Sequence, residues 1–162
     1  MKEGEKRIIF HIDVNNAFLS WTAVKMLKDG EKLDIRKIPS VIGGEEKERH
    51  GIVLAKSMPA KKRGVQTAET LYSARQKCPN LKVFKPDYSW YYEQSNLMYQ
   101  YLTRYTPLIE RYSIDECFLD LSGTSLLYKN YETLAEKIKN DIKTNFGFTV
   151  NVGIGNNKLC AK

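Results

Sequence analysis

The chain has 162 residues, 42% hydrophobic and 28% charged, with a net charge of +7, a mix that folds around a core as one domain or two small ones. No run approaches the roughly 18 apolar residues of a membrane-spanning helix, and the opening MKEGEKRIIFHIDV meets Asp13 too soon for a secretion signal. Three cysteines with no CxxC pair argue against a disulfide framework, so a reduced, cytoplasmic protein with no membrane partner is expected.

Arg7–Ile12 (RIIFHI) is β-branched and aromatic, the composition of a buried strand, and Asp13 is expected to end it. Apolar residues at helical spacing predict a helix from Asn16 to Lys28, stopped by Asp29-Gly30. A loop-rich stretch follows: a strand over Ile35–Ile42, a Gly43-Gly44 turn, the charged run EEKERH, a strand GIVLA and a helix through PAKKRG. Glu69–Lys77 reads as a helix and Leu81–Phe84 as a strand. A long helix from Asp87 to Thr106 is closed by Pro107. Strands Leu108–Ser113 and Cys117–Leu121 then flank Asp115-Glu116 as a tight hairpin. Asn130 caps a helix to about Asn145, Gly147 ends it, Phe148–Ile154 is a last strand, and a helix starts near Asn156.

Outside the middle segment the order is βαββαβ, so the expected fold class is α+β: a ferredoxin-like split βαββαβ layer with a small α/β subdomain inserted. The layer takes residues 1–27 and 87–162, and the insertion residues 28–86. The insertion holds 14 basic and 7 acidic residues, which is the whole excess of the chain. Such a segment suits a polyanion such as nucleic acid, though a solvated basic surface has the same composition.

Two adjacent carboxylates in an apolar run, YSIDECFLDLSG, raise an electrostatic question, because like charges repel and apolar surroundings make each one costlier. In a split βαββαβ sheet the first strand lies beside the hairpin, so Asp13, Asp115 and Glu116 converge. A divalent cation relieves that repulsion, and Mg²⁺ takes oxygen ligands and phosphate oxygens together. Two such ions suit in-line phosphoryl transfer, and the Val14 carbonyl can add a neutral ligand. The plainer alternatives are turn chemistry for Asp-Glu and helix capping for Asp13.

The stretches HIDVNNAFLS, GIVLAKSMPAKKRGV, YSIDECFLDLSG and VGIGNNKLCAK occur in the order seen in Y-family (translesion) DNA polymerases, and the chain most resembles bacterial DNA polymerase IV and UmuC-like proteins. The resemblance runs from about residue 7 to the end. It implies a palm (1–27 and 87–162) interrupted by fingers (28–86). It implies a lesion-bypass polymerase of low fidelity that joins a dNTP to a primer 3′-hydroxyl. Asp13, Asp115 and Glu116 would be catalytic and, with the Val14 carbonyl, would hold two Mg²⁺, for which Mn²⁺ can substitute. Phe18 resembles the aromatic steric gate: a ring under the sugar leaves no room for a 2′-hydroxyl. By its helical position alone Phe18 is a core residue. The implied triphosphate contacts are Lys61, Ser57 and Lys56. The family's Tyr and Arg here align with Met58 and Lys61, and lysine lacks arginine's bidentate fork; surface lysines without a ligand have the same pattern. The aromatic run from Tyr88 to Tyr105 reads as helix packing rather than base stacking.

In that family the last helix continues and thumb and little-finger domains follow. The resemblance therefore implies a truncated core, unable to polymerise alone. The implied partners are primer–template DNA, a dNTP and, through sequence beyond residue 162, a sliding clamp. Two other classes stay open: a non-catalytic DNA- or nucleotide-binding relative, favoured by Met58, and a nucleotide cyclase, disfavoured by YSIDE and Phe18.

Overall fold

A computed structural model describes residues 7–44 and 51–162, so the EEKERH run lies outside the described residues. The elements are β1 (Ile9–Val14), α1 (Ala17–Lys28), β2 (Ser40–Gly43), β3 (Val53–Lys56), α2 (Met58–Lys62), α3 (Leu71–Lys77), β4 (Lys82–Phe84), α4 (Tyr88–Leu102), β5 (Ile109–Arg111), β6 (Glu116–Asp120), α5 (Tyr131–Phe146), β7 (Val150–Gly155) and α6 (Lys158–Ala161).

The fold class is α+β, as the element order implied. Four strands pair antiparallel in the order β5-β6-β1-β7, which is the split βαββαβ arrangement. Asp13 does not end β1. Its backbone faces Glu116 on one side and Asn151 on the other, and Val14 continues opposite Val150. A strand tolerates a polar residue whose side chain leaves the core, because the ladder is made by backbone groups. Phe10 and Ile12 are fully buried, as are Leu119 on β6 and Leu121 just after it. Ile138 and Ile142 of α5 are buried too. That helix starts and stops as the sequence required: the Asn130 side chain accepts from the Thr133 amide at 2.8 Å, and Gly147 ends it at φ 79°.

A second sheet has the order β3-β2-β4, with β2 and β4 parallel. Neighbouring side chains on β2 face opposite ways. Val41 packs with Ala60 of α2 and with Leu71 and Ala74 of α3, whereas Ile42 packs with Leu19 and Ala23 of α1. The single strand expected over Ile35–Ile42 is broken. Asp34 caps a 3₁₀ turn at Ile35–Lys37 by accepting from the Arg36 amide, and β2 starts only after Pro39.

The chain divides into two compact units, Met1–Asn15 with Tyr92–Lys162, and Asn16–Tyr91. Helix α1 groups with the inserted segment because Leu19 and Ala23 share a core with Ile35, Ile42 and Ala55.

Candidate active site

One face of the first sheet carries the polar side chains. Period-two alternation puts Ile9, His11 and Asp13 on it, and strand register lines up Asp13 with Glu116 and Asn151, then His11 with Phe118 and Gly153. Among the described residues, His11, Asp13 and Glu116 each bring one potential ligand atom within 4.8 Å of the others. Asp115 lies outside that trio but stands beside it. Its carbonyl accepts from the Val14 amide at 3.0 Å, and its carboxylate accepts from the Ser113 hydroxyl at 2.7 Å. Val14 is the last residue of β1, with its side chain buried.

Helix α4 holds the hairpin from behind. Ser95 donates to the Ile114 carbonyl at 2.5 Å. The Tyr99 hydroxyl lies 2.6 Å from the Ser113 carbonyl and 3.0 Å from that of Glu116, and its one proton serves one acceptor at a time. Burial pushes the Tyr99 phenol up to about 12, so it stays a donor. Of the aromatic run, Tyr91, Tyr99 and Tyr105 pack in the core as expected, whereas Tyr88 and Tyr92 are exposed, and Tyr99 also positions the loop that carries Asp115 and Glu116.

Glu116 Oε2 accepts from two donors, Lys162 Nζ at 2.8 Å and His11 Nε2 at 2.9 Å. The lysine bond, against the opposing effect of burial, holds the Glu116 carboxyl below its ordinary range, and His11 adds to this. Asp13 is pushed the other way, first by burial and then by Asp115 and Glu116. A carboxyl whose folded pKa is raised contributes stability that is lost as pH rises through that pKa. Asp13→Asn is therefore expected to raise the melting temperature of the cation-stripped chain at pH 7. The gain should shrink as pH falls through the Asp13 pKa, and calorimetry across that range checks it. A cation among these oxygens would offset the same repulsion, so the donor set fits a hard divalent ion.

The impB/mucB/samB family model matches residues 12–162. The chain belongs to that family. It is 58% identical over 156 residues to the DNA polymerase IV of Clostridium acetobutylicum, covering 96% of this chain and 39% of that one. It is 41% identical over 157 residues to the DNA polymerase IV of Acetivibrio thermocellus, covering 97% and 38%. The chain thus spans about two fifths of the length of these curated relatives. A solved insertion ternary complex of Dbh DNA polymerase superposes with a TM-score of 0.79 at 28% identity, covering 95% of this chain and 44% of that one. The Y-family resemblance read from the sequence agrees with these likenesses, as does the antiparallel α+β fold.

The other residues singled out in this impB/mucB/samB chain belong to the second unit. Phe18 is half-buried on α1, stacked on Tyr91 at 4.7 Å between ring centroids and edge-on to Tyr88 at 5.9 Å. Lys61 is exposed on α2, and Met58 is 59% exposed. Lys56 Nζ donates to the Thr67 hydroxyl at 2.8 Å. Ser57 is a different case, being fully buried. Its hydroxyl donates to the Ile38 carbonyl at 2.7 Å and accepts from the Ser40 and Ala60 amides at 3.0 and 3.1 Å. That side chain caps α2 and has no capacity left for a phosphate.

His11 and Lys162 were missed in the sequence. His11 had a signal, since it stands two residues before Asp13 and so on the same strand face. Lys162 had none, because it arrives through the packing of α6.

Proposed function

We propose that this chain carries the nucleotidyl-transfer site of a template-directed DNA polymerase of the lesion-bypass type. The observation that carries the reading is the pairing of Asp13 with Glu116 in β-sheet register, with Asp115 bonded to Val14 through the backbone. Family membership and relatives named DNA polymerase IV support it.

Asp13, Asp115, Glu116 and the Val14 carbonyl would hold two Mg²⁺, or Mn²⁺ in their place. Such ions, when bound, lower the pKa of the attacking hydroxyl and neutralise charge on the leaving oxygen. The chain's own residues do the rest. β1 and β6 set Asp13 opposite Glu116, Asp115 stands in the turn beside them, and Tyr99 and Ser95 hold that loop. Residues 1–27 and 87–162 are the proposed palm and residues 28–86 the proposed fingers, whose basic residues suit DNA and a dNTP. Lys61, with Lys56 beside it, is the proposed triphosphate contact, by side-chain charge alone. Phe18 is the proposed steric gate, and few fingers residues touch the base pair, which gives low fidelity. A sliding clamp would be met through other parts of the protein. The compartment is the cytoplasm.

Primer extension by the full-length gene product, with dNTPs and Mg²⁺, tests the reading. Divalent-dependent extension supports it. A product that binds primer–template without extending it is a binding-only relative and overturns it, and conversion of ATP or GTP alone would point to a cyclase. The 162-residue chain by itself is expected not to extend primers.

In the same assay Phe18→Ala should lower discrimination against ribonucleotides by about 100-fold. The readout is the ratio of kcat/KM for dNTP and rNTP, which does not depend on the fraction of folded enzyme. An unchanged ratio would leave Phe18 as the partner of Tyr91 and nothing more.

A further inference from the structure

We propose that Lys162 is an internal counter-ion of the carboxylate cluster, standing where divalent charge is needed and so setting the affinity of the site for its cation. The inference deepens the metal-site reading above and rests on it.

Lys162 is an exposed side chain, but its meeting with Glu116 is set by the packing of the residue before it. Ala161 beside it is 4% exposed, packed with Ile9 and Phe118 on the face that bears Asp13 and Glu116. The helix sits directly on β7. A Cβ at Gly153 would lie 1.8 Å from the Ala161 carbonyl oxygen, and one at Gly155 would lie 2.6 Å from the Ala161 nitrogen. Backbone therefore rests on backbone, and the end of α6 has a fixed place. From there Lys162 Nζ reaches Glu116 Oε2 at 2.8 Å, over the Tyr112 ring at 4.2 Å from its centroid.

The Lys162 ammonium acts on Glu116 and Asp13, and Asp115 adds a third carboxylate beside them, so one ammonium leaves the cluster with a net negative charge. A divalent cation coordinated there brings two positive charges close to the ammonium. The two cations repel, and each weakens the other's hold on Glu116 by the same factor. Lys162 has an easy way out, because its side chain is 44% exposed. Cation affinity is then net of releasing the lysine, and a variant without it binds more tightly. The same charge lowers the repulsion that Asp13 feels while no ion is bound.

The test is Mn²⁺ binding to the 162-residue chain, followed by the electron paramagnetic resonance of free Mn²⁺. Lys162→Ala should bind about threefold to tenfold more tightly than wild type. Lys162→Arg, which keeps the charge, should stay near wild type, and Asp13→Asn should lose saturable binding. Addition of Mg²⁺ should shift the side-chain ammonium resonance of Lys162. If Lys162→Ala binds no more tightly while Asp13→Asn abolishes binding, the counter-ion proposal is wrong and the metal site stands. Binding that ignores Asp13→Asn removes the metal site, and this proposal with it.

Discussion

Asp115→Ala in the full-length gene product should slow primer extension by about a thousandfold or more at saturating dNTP and Mg²⁺. The carboxylate does little for the fold. Among the described residues its one side-chain bond is to the Ser113 hydroxyl, in an exposed turn. The links that hold the loop use other atoms: the Asp115 carbonyl with the Val14 amide, and Tyr99 and Ser95 with the carbonyls of Ser113 and Ile114. All of them survive truncation to alanine. Loss of activity should therefore come with a melting temperature close to wild type, and Asp115→Asn, which keeps shape and loses charge, should be nearly as inactive. An extension rate within about tenfold of wild type would refute the assignment of Asp115 to the metal site. The contrast with Asp13→Asn is informative, because relief of buried repulsion makes that variant inactive and more stable together.

The physical reasons for what could be read follow residue by residue. β1 and β6 were legible because their apolar runs match a pleated, buried strand, and Asp13 and Glu116 fall opposite each other once those strands pair. The place of Glu116 was less legible. A carboxylate beside Asp115 looks like turn chemistry, yet its backbone joins the ladder opposite Asp13 and only Asp115 stays in the turn. The break in Ile35–Ile42 had local signals in Asp34 and Pro39, which the β-branched composition outweighed. The expected end of the long helix at Thr106 was too late. α4 stops at Leu102, and a turn carries the chain to Pro107. Tyr99, Ser95 and Lys162 act through tertiary contacts, so no local pattern announces them. The capping bonds of Ser57 went unread for a related reason. A serine ahead of Met58-Pro59 is well placed to cap a helix, and the buried cap consumed the hydroxyl that a phosphate would need.

Gly153→Ala should detach α6 from the sheet. The glycine is not needed for a left-handed backbone; it is needed for space, since an added methyl would meet the carbonyl of Ala161 at 1.8 Å. Neither partner can yield cheaply. β7 is held at this point by pairing with His11 on β1, and the obstructing atom is backbone. The weaker element moves: β7 is paired along its length with β1, whereas α6 is anchored by Ala161 and by the Lys158–Glu110 ion pair. Overpacking of this kind costs about 1–3 kcal/mol, enough to lift the helix while the sheet persists. Hydrogen exchange reads this directly. The amides of Ala161 and Lys162, bonded to the Asn157 and Lys158 carbonyls, should lose protection, and those of Phe10 and Ile12 should keep it. Lifting α6 also takes Lys162 away from Glu116, so Gly153→Ala should tighten Mn²⁺ binding much as Lys162→Ala does. Lys162→Ala should then add little in the Gly153→Ala background, since both changes remove the same interaction. Full additivity would mean that the glycines and the lysine act separately, and retained amide protection would show that the sheet, not the helix, gives way.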